Sequence, residues 1–292
     1  MNERMKAFFA AHSWRYSCTV RRFLRYWLTA FSILWTFTGF AGYFFTRNNQ
    51  PFKPNVWLVL AIGVLAAVWM ARPRLTRSVR IGDKDIVLRI DVNDMFDAKD
   101  SSFIVPANCC FAHEHIDGDS VIVQLRNRFF PGPGRFDRAL ADALRDEPYE
   151  ETTVGGKPAK KYAIGTVAQL PLPGESARMA YIVATTELNE HGRGTPDFVH
   201  LQTALEKLWA QIAQKGNTKP LVIPVMGSGR QRLAQNRFEL IGHIAKTFIA
   251  SIRHRKFTER LTIVIHPRSY RAHRYNLDDI ETYVACAGKY GL

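Results

Sequence analysis

The hydrophobic pattern divides the chain in two. Near the N-terminus two uncharged apolar runs stand side by side, residues 26–45 and 56–71. After them apolar residues come in short runs between polar turns, as in a globular sequence. A helix rises about 1.5 Å per residue, so roughly 20 apolar residues cross a hydrocarbon core of about 30 Å. The first run has that length and the second lies near the short limit. Trp27, Tyr43, Trp57 and Trp69 sit near the run ends, where aromatic side chains favour a membrane interface. The pattern predicts a two-helix transmembrane hairpin over 26–71. A signal peptide fits less well, because a long basic stretch precedes the first run and no small-residue cleavage site follows it.

Beyond residue 80 the period changes. Strands are predicted over 85–92, 102–105, 162–170, 179–185, 220–225 and 261–265, from β-branched and apolar residues between Pro/Gly breaks. Helices are predicted over 120–129, 136–145, 197–214, 238–252 and 277–287. In the third of these Val199, Leu201, Leu205, Leu208, Trp209 and Ile212 fall at helical spacing and Gly216 ends the run. Strands alternating with helices favour a mostly parallel sheet covered on both faces, with ligands at the carboxyl ends of its strands. The expected organisation is a basic segment 1–25, the hairpin 26–71, a basic linker 72–80 and a globular domain 81–292. Trp14, Tyr16 and Phe23, interleaved with Arg, leave the first segment open between an interfacial helix and disorder.

Charge orients the hairpin. Arg15, Arg21, Arg22 and Arg25 precede it, and Arg72, Arg74, Arg77 and Arg80 follow it, whereas the connector 46–55 holds only Arg47 and Lys53. The positive-inside rule then puts both termini and the globular domain in the cytoplasm. The net charge of +14 adds attraction to anionic lipid and to phosphate. No DNA-binding motif and no aromatic-basic strip accompanies it, so no nucleic-acid partner is expected. Four cysteines, two of them adjacent (Cys109 and Cys110), suit reduced thiols and no zinc site.

Two strand-to-loop junctions carry candidate chemistry. One runs Phe103-Ile104-Val105-Pro106-Ala107-Asn108 into Cys-Cys-Phe-Ala-His-Glu-His-Ile-Asp-Gly-Asp-Ser; the other is Val222-Ile223-Pro224-Val225-Met226-Gly227-Ser228-Gly229-Arg230. Glycines before a helix let backbone N–H groups approach an anion, and the helix N-terminus adds its dipole. The Lys-Ser/Thr pair of a Walker loop is missing. His113 and His115 read as exposed loop residues rather than a metal pair, since no further ligands cluster with them. Tyr270 and Tyr275 suit either stacking on a ligand or core packing.

Together the junctions resemble a macro domain, the module that binds ADP-ribose. Asn93-Asp94-Met95, Val105-Pro106-Ala107-Asn108, Ile116-Asp117-Gly118 and Pro224-Val225-Met226-Gly227-Ser228-Gly229 match the family's motifs in order. The glycine run of the family's first loop is replaced by His113-Glu114-His115, which points to a modified ligand or a different distal pocket. The resemblance implies a three-layer α/β/α sandwich and, from the preceding hairpin, likeness to the membrane effectors of type II Thoeris anti-phage defence. It implies an ADP-ribose-derived messenger of histidine-ADP-ribose type, made by a TIR-domain enzyme. It further implies a homo-oligomer on activation and disruption of the bacterial inner membrane, with no cofactor, no metal and no catalysis. The implied ligand-binding residues are Asp94 and Asn108 for the nucleoside parts, Ile116, Asp117, Gly118 and Ser120 along the first loop, and Gly227, Ser228, Gly229 and Arg230 around the phosphates. The alternatives are a membrane-tethered ADP-ribosyl hydrolase using Asn108 and Asp117, or a protein-binding membrane scaffold.

Overall fold

The apolar strands beyond residue 85 are buried on both faces, and they build one sheet. The computed structural model describes residues 2–44, 46–47, 50–51, 55–82, 85–113, 120–174, 177–189, 191–216, 218–229 and 233–290. The chain forms two compact units, residues 1–75 with 271–276, and residues 76–270 with 277–292.

In the first unit α1 (Glu3–Phe8) and α2 (Ala11–Ser17) precede two longer helices, α3 (Val20–Phe44) and α4 (Val56–Met70), which pack on one another. Asn55 caps α4 by accepting from the Trp57 N–H at 2.9 Å. The seam between them is made of small residues: Ala30, Val59, Gly63 and Ala67 are buried. A Cβ on Gly63 would lie 3.6 Å from Trp27 Nε1. Small side chains let two helix backbones approach closely. Most of the remaining apolar surface is exposed, including Ile33, Trp35, Phe37, Phe40, Leu65 and Trp69.

The predicted hairpin is therefore present, but not as two spanning helices. Among the described residues no helix is long and apolar enough to cross a membrane. Helix α4 is apolar throughout yet has 15 residues, or about 22 Å, short of a hydrocarbon core. Helix α3 is long enough, but Arg21, Arg22 and Arg25 occupy its start and Ser and Thr interrupt the rest.

In the second unit the strands are β1 (Thr76–Ile81), β2 (Ile86–Val92), β3 (Ser102–Asn108), β4 (Tyr149–Val154), β5 (Lys157–Tyr162), β6 (Val167–Pro171), β7 (Met179–Leu188), β8 (Leu221–Pro224) and β9 (Arg260–Ile265). The main sheet runs β7-β3-β8-β9-β2-β1, with β6 and the short segment Gly194–Thr195 also paired to β7. Strands β7, β3, β8, β9 and β2 are mutually parallel; β1 and β6 are antiparallel to their neighbours. Strand β1 lies where the charge pattern predicts a basic linker. Its arginines read as linker because an edge strand carries charge to discourage further pairing. Arg77 on it pairs with Asp278 (2.6 Å) and Glu281 (3.0 Å), and Thr76, opposite Asp91, donates to that carboxylate at 2.6 Å. β4 and β5 form a separate polar hairpin, although the residue pattern predicts no strand over 149–154.

Side chains alternate across the sheet. Phe103, Val105, Ala107, Ala180, Ile182 and Val222 gather with α5 (Val121–Phe129) and α6 (Arg135–Ala143) in one core. The intervening Ile104, Tyr181, Val183, Leu221 and Ile223 are fully buried. They face the other layer, α7 (Phe198–Lys215), α8 (Arg237–His254) and α10 (Leu277–Tyr290), where α8 packs against both neighbours. The short α9 (Pro267–His273) follows β9.

One histidine in that layer makes stability pH-dependent. The His243 ring on α8 lies tilted against Phe198 at 4.8 Å, and its Nε2 is buried without a hydrogen-bond partner. Burial lowers its pKa below 6.5, Lys246 lowers it further, and Glu206 opposes. Below about pH 6.5 the unfolded chain therefore takes up a proton that the folded one resists, and stability falls as pH drops. His243→Leu should flatten the decline in melting temperature between about pH 7.5 and 5.5; an unchanged slope would place the acid sensitivity elsewhere.

Candidate ligand site

Five parallel strands end at one edge of the sheet, and the loops leaving three of them hold the predicted residues. The register aligns Val92 with Ile265, Pro224 with Val264, and Val222 with Phe103. The exits of β2, β8 and β3 thus share an edge, with β2 and β3 three strand spacings apart, about 14 Å.

Leaving β2, the chain tightens into a 3₁₀ turn, Met95–Asp97, which contacts β8. Asp94 caps that turn, its Oδ1 accepting from the Phe96 N–H at 3.0 Å. Its Oδ2 lies 3.6 Å from Nη1 of Arg128, whose Nη2 bonds Asp97 at 3.2 Å. Asp94 remains 37% exposed, so its carboxylate still has lone pairs open to a donor. Arg128 comes from α5, far along the chain, and nothing in the local sequence announces the pairing.

Leaving β3, Asn108 organises its own loop. Its Oδ1 accepts from the N–H groups of Cys110 (3.1 Å) and Ala112 (3.0 Å), and its Nδ2 donates to the Ala112 carbonyl at 2.8 Å. The Phe111 N–H returns to the Asn108 carbonyl at 3.0 Å, with Phe111 in the left-handed region at φ 50°. The residue expected to read a nucleoside therefore holds the turn that shapes the edge.

His113 differs from its expected exposure. It is buried, its ring lies edge-on 4.8 Å from Phe136, Nε2 is 3.0 Å from Asp137 Oδ1, and Nδ1 is 3.3 Å from the Phe111 carbonyl. Both partners are acceptors, so only the doubly protonated ring makes both bonds at once. It pins the loop to α6. His115, Ile116, Asp117 and Gly118 lie outside the described residues, as does Arg230. Ser120 is the N-cap residue of α5, but its hydroxyl makes no capping bond.

Leaving β8, Val225–Gly229 turns back toward α8. Gly227 has φ 77°, and a Cβ there would sit 2.4 Å from Leu233 Cδ1. That position is glycine for both reasons. Ser228 Oγ donates to the Val225 carbonyl at 2.7 Å, and Arg237 Nη2 donates to the Ser228 carbonyl at 3.2 Å. Gly229 has open space around it. Asn236 and Glu239 form a capping box that starts α8 just beyond the loop. Arg237, at the start of α8, thus brings a cation to this loop that the residue pattern does not single out. Tyr270 and Tyr275 are both buried, as core packing requires. Among the described residues no group of acidic, His and Cys side chains could hold a metal.

The edge thus presents a carboxylate, a turn held by an amide, and a Gly-Ser-Gly loop ahead of a helix. That set suits a ligand with hydrogen-bond donors at one end and an anion further along. The family profile "Thoeris protein ThsA, Macro domain" matches residues 88–266. Similar solved structures include a mutant form of the Oceanobacillus iheyensis macrodomain, at 14% identity and TM-score 0.46, covering 72% of this chain and 93% of that one. The same macrodomain with ADP is 15% identical at TM-score 0.45, covering 70% and 96%. No curated protein matches the chain.

Proposed function

The chain belongs to the ThsA macro-domain family of Thoeris proteins, and from that premise we propose that it is a membrane-seated defence effector gated by an ADP-ribose-derived nucleotide. The carrying observation is the convergence of Asp94, the Asn108 turn and the Gly227–Gly229 loop on one sheet edge inside the matched region. Asp94 accepts from the adenine amino group. The backbone N–H groups of the glycine loop and the α8 N-terminus hold the diphosphate. The rebuilt first loop, anchored by His113, accommodates a histidine-bearing derivative supplied by a TIR-domain enzyme. The reading is a binding module rather than a hydrolase, because both polar atoms of the Asn108 amide are engaged by its own loop.

The exposed apolar face of α3 and α4, flanked by arginines, seats the chain on the inner membrane with the macro domain in the cytoplasm. Ligand binding then favours an oligomer-competent state, which requires higher affinity for that state, and clustered hairpins disrupt the bilayer.

Calorimetry and thermal shift of the full chain with ADP-ribose and with histidine-ADP-ribose test the ligand. Saturation at a hundred times the dissociation constant stabilises by about 2.7 kcal/mol. Asp94→Ala should weaken binding by about tenfold to a hundredfold, the worth of a charge-assisted hydrogen bond. Its stability without ligand should fall only by the cost of a lost cap, about 1 kcal/mol. No stabilisation by either ligand would overturn the reading.

A further inference from the structure

The turn that Asn108 holds contains a feature that ligand binding does not use. Cys109 and Cys110 are adjacent in sequence, and their sulfurs lie 3.8 Å apart. Cys109 is buried and Cys110 half-buried. The Cys109 N–H donates to the Thr186 carbonyl at 2.8 Å, its own carbonyl accepts from the Tyr162 N–H at 2.8 Å, and the Cys110 N–H is held by Asn108. Lys161, ion-paired to Glu187 at 3.1 Å, brings positive charge near the sulfurs, and the Glu187 carboxylate opposes it.

We propose that Cys109 and Cys110 form a redox-active vicinal dithiol, which a low-molecular-weight disulfide oxidises to a Cys109–Cys110 bridge that opens the Asn108 turn. The proposal is independent of any ligand at the sheet edge.

Cys110 is the reachable sulfur. It attacks one sulfur of the small disulfide, forms a mixed disulfide and expels one thiol. Cys109 thiolate then attacks the Cys110 sulfur, closes the bridge and expels the second thiol. Two protein thiols are oxidised, one small disulfide is reduced to two thiols, and the two protons go to the leaving thiolates. Hydrogen bonding from Cys110 lowers the Cys109 pKa to about 7 against its burial, with the Leu188 backbone and Lys161 assisting, and the same contact raises that of Cys110. The pair thus carries one thiolate near neutral pH, and the shared proton passes across the 3.8 Å contact to Cys109 as Cys110 attacks, to be lost again before Cys109 closes the bridge.

Closure brings the sulfurs from 3.8 Å to about 2.05 Å. Neighbouring Cα atoms are about 3.8 Å apart, below the usual disulfide range of roughly 4.4–6.8 Å. The bridge is therefore strained, and strained bridges are the easily reduced, regulatory kind. The intervening peptide has to rotate, and its Cys110 N–H then leaves Asn108 Oδ1.

The test uses the full chain carrying Cys18→Ser and Cys286→Ser, with glutathione disulfide as probe. Peptide mapping should find two thiols consumed without a stable adduct, and thiol reductant should restore both. Cys109→Ser should instead retain a glutathione adduct on Cys110. In the oxidised protein the amides of Cys110 and Ala112 should exchange about tenfold faster than in the reduced one. A persistent adduct with Cys109 present, or two thiols left free, would overturn the bridge; unchanged exchange in bridged protein would overturn its effect on the turn.

Discussion

Gly229→Glu should weaken ADP-ribose binding by about a hundredfold to a thousandfold while leaving the melting temperature of the ligand-free protein unchanged. A Cβ placed on Gly229 would meet nothing within 4 Å, and the backbone there lies outside the left-handed region, so a side chain is sterically free. Its carboxylate, however, enters the loop assigned to the diphosphate. Two like charges about 4 Å apart at an effective dielectric near 20 repel by roughly 4 kcal/mol, and each 1.4 kcal/mol is about tenfold in affinity. Gly227→Ala makes the complementary case. Its φ of 77° and the 2.4 Å approach to Leu233 Cδ1 predict a loss of about 1–3 kcal/mol of stability, since a new methyl strains the backbone and overpacks the loop. Calorimetric titration beside thermal melts separates the two. Gly229→Glu binding at the native affinity would remove the loop from the site.

Phe37→Asp combined with Leu65→Asp should move the chain from the lipid fraction to the aqueous one. Both side chains are 69% exposed on the hairpin. Each replacement removes about 1.5–3 kcal/mol of apolar transfer and adds about 2.5–3.5 kcal/mol if the charge enters the hydrocarbon. Flotation with anionic vesicles reads the difference, and retained ADP-ribose binding shows that the second unit is intact. Equal flotation of the variant and the original chain would show that the exposed face does not contact lipid.

The legible parts of this fold are those where one residue pattern answers to one environment. β9 and β8 are buried on both faces, so their apolar runs mark them directly. α7 shows its buried stripe through Leu201, Leu205, Leu208 and Ile212. The β4–β5 hairpin escapes because its strands are polar and exposed. Its signal is the turn: Gly155 and Gly156, at φ 57° and 77°, make the two-residue connection that favours hairpins. The edge strand β1 is hidden by its arginines. In the site, Asp94, Asn108 and the glycine loop stand out because each follows or ends a strand. Arg128 and the burial of His113 do not, because their partners are brought to them by the packing of α5 and α6. Arg237 escapes for another reason: a helix-start residue gives no sign that it turns back to a loop carbonyl.

The Thr76–Asp91 pair has a mechanical consequence. The chain leaving the hairpin joins the sheet at Thr76, opposite Asp91 and three residues before Asp94. A load on that tether meets the Thr76–Asp91 pair first, at the ligand edge, with the Arg77 ion pairs immediately behind it. Tension arriving along the backbone therefore reaches Asp91 across a single strand pair, three residues from Asp94, the acceptor proposed for the adenine.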